Sequence, residues 1–229
     1  PFVDLLKTKR WWVVTMQMLV GAGLAGVAFT LPTDFFFQAS LAVFWLVAFS
    51  SATHDIAADG YYMLALEPHE QAFFVGIRST FYRISTIAGQ GILVMIAGAL
   101  ETSTGKIPMS WSITFFIMAG LFIAFCLYHK FILPKPASDK PSVTVTASNL
   151  MKEFFATFAS FFKKKQVAIA ILFMLFYRFP EAQLVKLITP FLIDPREVGG
   201  LGLTTTEIGL TYGTIGIIGP KRMDYANVV

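Results

Sequence analysis

Residues 35–62 read FFFQASLAVFWLVAFSSATHDIAADGYY: nineteen residues without a formal charge, then a histidine and two aspartates. Where lipid surrounds a chain, backbone N–H and C=O groups find no water, and a helix satisfies them internally. The stretch therefore reads as a helix crossing a bilayer. Its acids are the difficulty, because a charge at the centre of such a helix costs roughly 2.5–3.5 kcal/mol on insertion scales. Either a partner compensates them or they sit shallow, near the head groups.

The whole chain is written in the same style. It is 55% hydrophobic and 15% aromatic, with 24 Phe and only 14% charged residues, and its mean hydropathy is +0.65. A soluble domain carries roughly 25% charge. The expected fold class is therefore an all-α membrane protein, a polytopic helical bundle. The lone Cys126 lies inside an apolar run, so neither a disulfide framework nor a thiolate metal site is expected. No serine nucleophile elbow, P-loop or zinc spacing occurs, so no cofactor or metal is expected. The net charge of +4 does not point to nucleic acid, because the basic residues stand in short clusters between apolar runs rather than on one polar face.

About 20 apolar helical residues cross a hydrocarbon core. Five stretches meet that length: Trp11 to Leu31, Phe35 to about Leu66, Ser79 to Leu100, Trp111 to Ile132, and Gln166 to Ile193. EPHEQAFF reads as a polar linker before the third and ETSTGKIPMS as its polar exit loop. The small residues of IAGQGILVMIAGAL would let another helix approach closely. A sixth span begins at Glu207, with Thr206 as its N-cap, and the polar PKRMDYANVV cannot complete it. The opening PFVDLLKTKRWW reads as a loop between helices, so the sequence is expected to be an internal piece of a longer protein. Residues 1–132 then carry four spans, 133–165 form a central loop, and 166–229 hold one full and one truncated span.

Within that loop, NLMKEFFATFASFFKKK places Met151, Phe154, Phe155, Phe158, Phe161 and Phe162 on one side at helical spacing, away from Lys152 and Lys163 to Lys165. That pattern suits a helix lying in the membrane interface. Lys and Arg concentrate in alternate loops: Lys7, Lys9 and Arg10; Arg78 and Arg83; Lys130, Lys135, Lys140 and the later lysines. The positive-inside rule puts the starting loop and the central loop in the cytoplasm.

Asp55 and Asp59 are four apart and share a helix face. Counting from Phe35 places them near the cytoplasmic boundary of the hydrocarbon. They are either solvated at a helix end or paired with Arg78 or Arg83 at the start of the next helix, as a gate latch or proton-titrating site. His54 could share in proton traffic, since imidazole titrates near neutral pH, although a plain helix-face contact also accounts for it. In the fifth span, Tyr177, Arg178, Glu181 and Lys186 surround Pro180; Arg178 and Glu181 at i, i+3 can pair, and the proline is expected to kink the helix. These residues, with Gln183 and Gln90, are candidates for lining a substrate cavity or for packing an internal ion pair.

Taken together, P-x-x-D before Lys9, Arg10 and Trp11, the block S-A-T-x-D-I-x-x-D-x-Y from Ser51 to Tyr61, and F-Y-R…P-F-L-I-D…T-E-I-G from Phe176 to Gly209 resemble the muropeptide permease branch of the major facilitator superfamily. The related acetyl-coenzyme A transporters share much of this pattern. The resemblance implies that the chain corresponds to helices three to seven and the start of eight of at least twelve. It implies a proton-coupled symporter, monomeric when full length, that moves a small organic solute across the inner membrane by alternating access. Asp55 and Asp59 match the block's two acidic positions, whereas DLLKTKR lacks the Gly and the first Arg of the superfamily's D-R-x-G-R-R loop. An alternative is a membrane-embedded prenyl transferase holding Mg²⁺ on Asp55 and Asp59, which would need a second aspartate-rich motif that the sequence lacks. A purely structural subunit would not need charges such as Arg178 within a span.

Overall fold

The computed structural model describes residues 3, 7–140 and 147–218, the side chains of 147–150, 153, 157, 181, 185 and 214–218 excepted. Every regular element among them is helical. Helix α1 spans Lys9–Thr30, α2 Phe36–Ala65, α3 Pro68–Thr104, α4 Ile107–Ile132, α5 Ala147–Phe162, α6 Val167–Ile193 and α7 Thr205–Ile218. Five of them, α1 to α4 and α6, are long and apolar enough to cross a membrane. The chain is thus an all-α polytopic membrane bundle.

Helix α1 packs between α2 and α4, and α3 meets α4 through its second half. Thr8 caps α1, its hydroxyl accepting from the Trp11 N–H at 3.1 Å. Val20 and Leu24 of α1 bury against Ala119 of α4, and Val47, Phe115 and Phe122 close around them. Close approach to α2 depends on Gly23, where a Cβ would collide with Val47. Ser112 of α4 donates to the Ala28 carbonyl at 2.6 Å, a buried interhelical hydrogen bond of the kind that joins helices in lipid. A second cluster, Val13, Ala57 and Tyr61 with Trp12, packs α1 against the far end of α2. The outward faces remain apolar, as on Trp45 and Phe49, where a soluble bundle would place polar residues.

Three sequence expectations change. First, EPHEQAFF is not a linker: α3 starts at Pro68, with proline at its first position and the Glu67 N–H donating to Glu70 Oε2 at 2.9 Å. Polarity hid a helix start that its capping residues specify. Second, ETSTGKIPMS is mostly helical, broken only near Gly105, which takes φ 65 and ends α3 with its N–H on the Glu101 carbonyl. Third, Thr204 rather than Thr206 caps α7. The Thr204 N–H and hydroxyl both donate to Glu207 Oε2 at 2.8 Å, and the Glu207 N–H returns to Thr204 Oγ1 at 3.3 Å.

Helix α3 carries a π-helical turn at Ala88–Ile92. Helix α6 runs unbroken through Pro180 and Pro190. It packs lightly against α5 and α7 and is exposed along most of its length, although Leu192 near its end is buried. Helix α7 is 14 residues long in the described chain and lies against the second half of α3.

Candidate functional site

The crossing of α3 and α7 is made of glycine. A Cβ on Gly91 would lie 2.9 Å from Gly213 Cα, one on Gly209 2.6 Å from the Met95 nitrogen, and one on Gly98 2.5 Å from the Thr206 nitrogen. Backbone meets backbone along the whole seam. Gly91 belongs to the π turn, so the irregular part of α3 faces this contact, and such turns recur at functional positions. The small residues noted in IAGQGILVMIAGAL do admit another helix. Its identity, with a matching Gly209-x-x-x-Gly213, comes from the structure.

Between α2 and α3, Asp59 Oδ1 meets Arg78 Nη2 at 2.5 Å. Because α3 begins at Pro68, Arg78 is not at the helix start, as expected, but ten residues inside it, about 15 Å along the axis at 1.5 Å per residue. Asp59 is six residues from the end of α2, about 9 Å. The pair therefore lies within both helices, each charge compensating the other. Beside it, Tyr62, Leu66, Phe74, Ile77 and Arg78 line an apolar cleft of about 280 Å³.

The other candidate acids and bases separate. Asp55 is exposed, its carboxylate 3.7 Å from Nδ1 of the adjacent His54. Arg83 is exposed and forms no ion pair among the described residues. His54 Nε2 is buried without a hydrogen-bond partner among the described residues, and the ring lies within electrostatic reach of His129. His129 Nδ1 is 2.8 Å from Oε1 of the buried Gln17. This polar contact across α1 and α4 went unread in the sequence, because Gln17 and His129 stand 112 positions apart.

On α6, Tyr177 stacks on Phe173 with centroids 5.9 Å apart, and Arg178 borders a cleft of about 450 Å³ with Ile171, Met174 and Phe179. The Glu181 side chain is outside the described residues, and with it the expected pairing to Arg178. Gln183 and Lys186 are exposed. Gln90 is exposed in the π turn of α3, and α6 does not pack there, so Gln90 and Gln183 are not brought together. For Mg²⁺ chemistry the arrangement is unsuitable: Arg78 occupies Asp59, and a guanidinium repels a cation where a second carboxylate would be needed.

Asp139, in the loop after α4, was also missed. Its carboxylate accepts from the Lys9 N–H at 2.7 Å and the Arg10 N–H at 3.0 Å, satisfying two of the orphan donors that open α1. Arg10 reaches back to α4, Nε donating to the Leu133 carbonyl at 3.1 Å and Nη2 to that of Lys130. Tyr61 Oη donates to the Pro134 carbonyl at 2.8 Å. The loop is thus tied across the ends of α1, α2 and α4.

No family model and no solved structure matches the chain. Among curated proteins it is 27% identical over 217 residues to the anhydromuropeptide permease of Escherichia coli K12, covering 90% of this chain and 41% of that protein. It is 24% identical over 224 residues to the putative transporter AmpG 4 of Rickettsia conorii, covering 95% and 49%. An uncharacterized protein of Haemophilus influenzae is 27% identical over 197 residues, covering 84% and 43%. The chain spans somewhat less than half the length of the curated relatives it matches. Over nearly all of its own length the chain is similar to the anhydromuropeptide permease and the putative transporter AmpG 4, and it is a multi-pass helical membrane protein.

Proposed function

We propose that the protein is a secondary active transporter of the major facilitator type, which moves a small organic solute such as a muropeptide across the cytoplasmic membrane by proton-coupled alternating access. The observation that carries this reading is the Asp59–Arg78 pair. Ionisable side chains within membrane helices are costly, and they mark solute and ion pathways. Protonating the Asp59 carboxylate would remove the charge that holds Arg78, which makes proton uptake a trigger for movement of α3 against α2. Asp55, His54 and Arg83 lie on the same two helices and would tune that exchange; Tyr177, Arg178, Glu181, Gln183 and Gln90 are the candidates for contacting solute.

The glycine seam supports the same reading, since it joins α3, from the residues before the central loop, to α7, from the residues after it. Small residues let two helices approach closely, and this contact would be the one about which the two parts move. The names of the relatives support transport of this class, and the Lys and Arg clusters support a cytoplasmic central loop.

The test is uptake of labelled anhydromuropeptide into proteoliposomes holding the complete protein under an imposed pH gradient. Asp59→Asn should remove the response to the gradient while leaving solute binding measurable. Gradient-driven uptake undiminished in Asp59→Asn would overturn the assignment.

A further inference from the structure

Helix α5 displays an aromatic face that no other described helix covers. Met151, Phe155, Phe158, Phe161 and Phe162 are all exposed, and α5 touches the remainder of the protein only lightly, through α6. At 100° per residue these positions, with Phe154, fill an arc of about 120°. Lys152 lies outside that arc, about 60° beyond Phe155, and Lys163, Lys164 and Lys165 follow the last turn, all exposed.

Position identifies the occupant. Only Lys163 to Gln166 separate the end of α5 from Val167, the first residue of a membrane-crossing helix. Gln166 takes a left-handed conformation, φ 65 and ψ 7, and breaks the helical path between the two helices. A helix ending four residues from the mouth of a span stands at the height of the head groups. An apolar aromatic face there meets acyl chains, and a lysine cluster meets lipid phosphate.

We propose that α5 is a lipid-surface helix whose phenylalanine face enters the bilayer boundary and whose Lys163–Lys165 cluster gathers anionic head groups around the entrance of α6. The proposal is independent of the solute and of the coupling ion. Each lysine beside an anionic surface multiplies the local preference by about fivefold.

A solvatochromic probe on Phe158→Cys, with Cys126 and any other cysteine of the complete protein replaced by serine, reports on this in the complete protein reconstituted into nanodiscs. The expected result is blue-shifted emission, quenched by lipids spin-labelled near the head group. At equal mole fraction, spin-labelled phosphatidylglycerol should quench severalfold more than spin-labelled phosphatidylcholine. The triple variant Lys163→Gln/Lys164→Gln/Lys165→Gln should equalise the two while keeping the blue shift, as should about 0.5 M salt through Debye screening. Water-like emission would overturn the proposal by leaving the face in solvent. Blue-shifted emission that neither lipid quenches would overturn it in favour of a protein partner, and equal quenching by both lipids with the lysines intact would overturn the anionic preference.

Discussion

Substituting alanine for Gly209 tests the seam between α3 and α7 most directly. The added Cβ would stand 2.6 Å from the Met95 nitrogen and 2.9 Å from the Gly91 carbonyl oxygen, against ordinary contacts of 3.4 Å or more. Both obstacles are backbone, so neither can rotate aside, and α7 has to retreat by about 0.8 Å to reach 3.4 Å from that nitrogen. Overpacking of this kind costs about 1–3 kcal/mol. Two helices held apart by 0.5–1 Å also lose roughly a quarter to a half of each dispersion contact across the gap. Opposing this, alanine is the better helix former by about 0.5–1 kcal/mol. Gly120 of α4 supplies the control, because a Cβ there meets nothing within 4 Å. Gly120→Ala should leave stability unchanged or raise it, and Gly209→Ala should lower it, the two differing by about 1–3 kcal/mol. Reversible unfolding in mixed micelles, titrated with a denaturing detergent, measures both. If the two variants moved together, the close crossing of α3 and α7 would be refuted.

Other outcomes follow from single contacts. Asp59→Asn and Arg78→Gln should each destabilise, and the double variant should cost less than their sum; an additive cycle would mean that the 2.5 Å pair contributes nothing to the fold. Asp139→Ala removes the acceptor for two α1 amides and should cost about 1 kcal/mol in the same unfolding assay, with faster hydrogen exchange at Lys9 and Arg10 as the local readout. Gln17→Leu leaves His129 Nδ1 without its 2.8 Å partner in a partly buried site and should cost about 1–3 kcal/mol, whereas Gln17→Glu restores an acceptor and should recover part of it.

The membrane spans were legible because one physical requirement writes them: every backbone amide in lipid needs an internal partner, and a long apolar helix supplies it. The charged side chains of α2 and α3 were legible for the same reason, since each stands out against its surroundings. What escaped was of two kinds. The polar helix start Glu67-Pro68-x-Glu70 reads as loop because capping is a matter of one or two hydrogen bonds that hydropathy does not register, and at α7 the cap is legible but falls on Thr204, two residues before the expected Thr206. Contacts between distant positions left no local trace. Asp139 reaches Lys9 across 130 positions, and Gly91 shows by its composition that something approaches, but not that Gly213 does. Shape complementarity between small residues has no periodicity of its own.

The near end of α3, closed by Gly105 and joined at once to α4, is also the end pinned to α7 by Gly98 and Thr206. Its other end extends away as a lever. Arg78 sits 13 residues from Gly91, where the contact with Gly213 lies, about 20 Å along the axis at 1.5 Å per residue. A swing of about 8° around that contact would carry the guanidinium about 2.7 Å on that arm, farther than the 2.5 Å that separates it from Asp59. On the proposed mechanism, a small rotation about the glycine seam would be enough to make or break the Asp59–Arg78 pair.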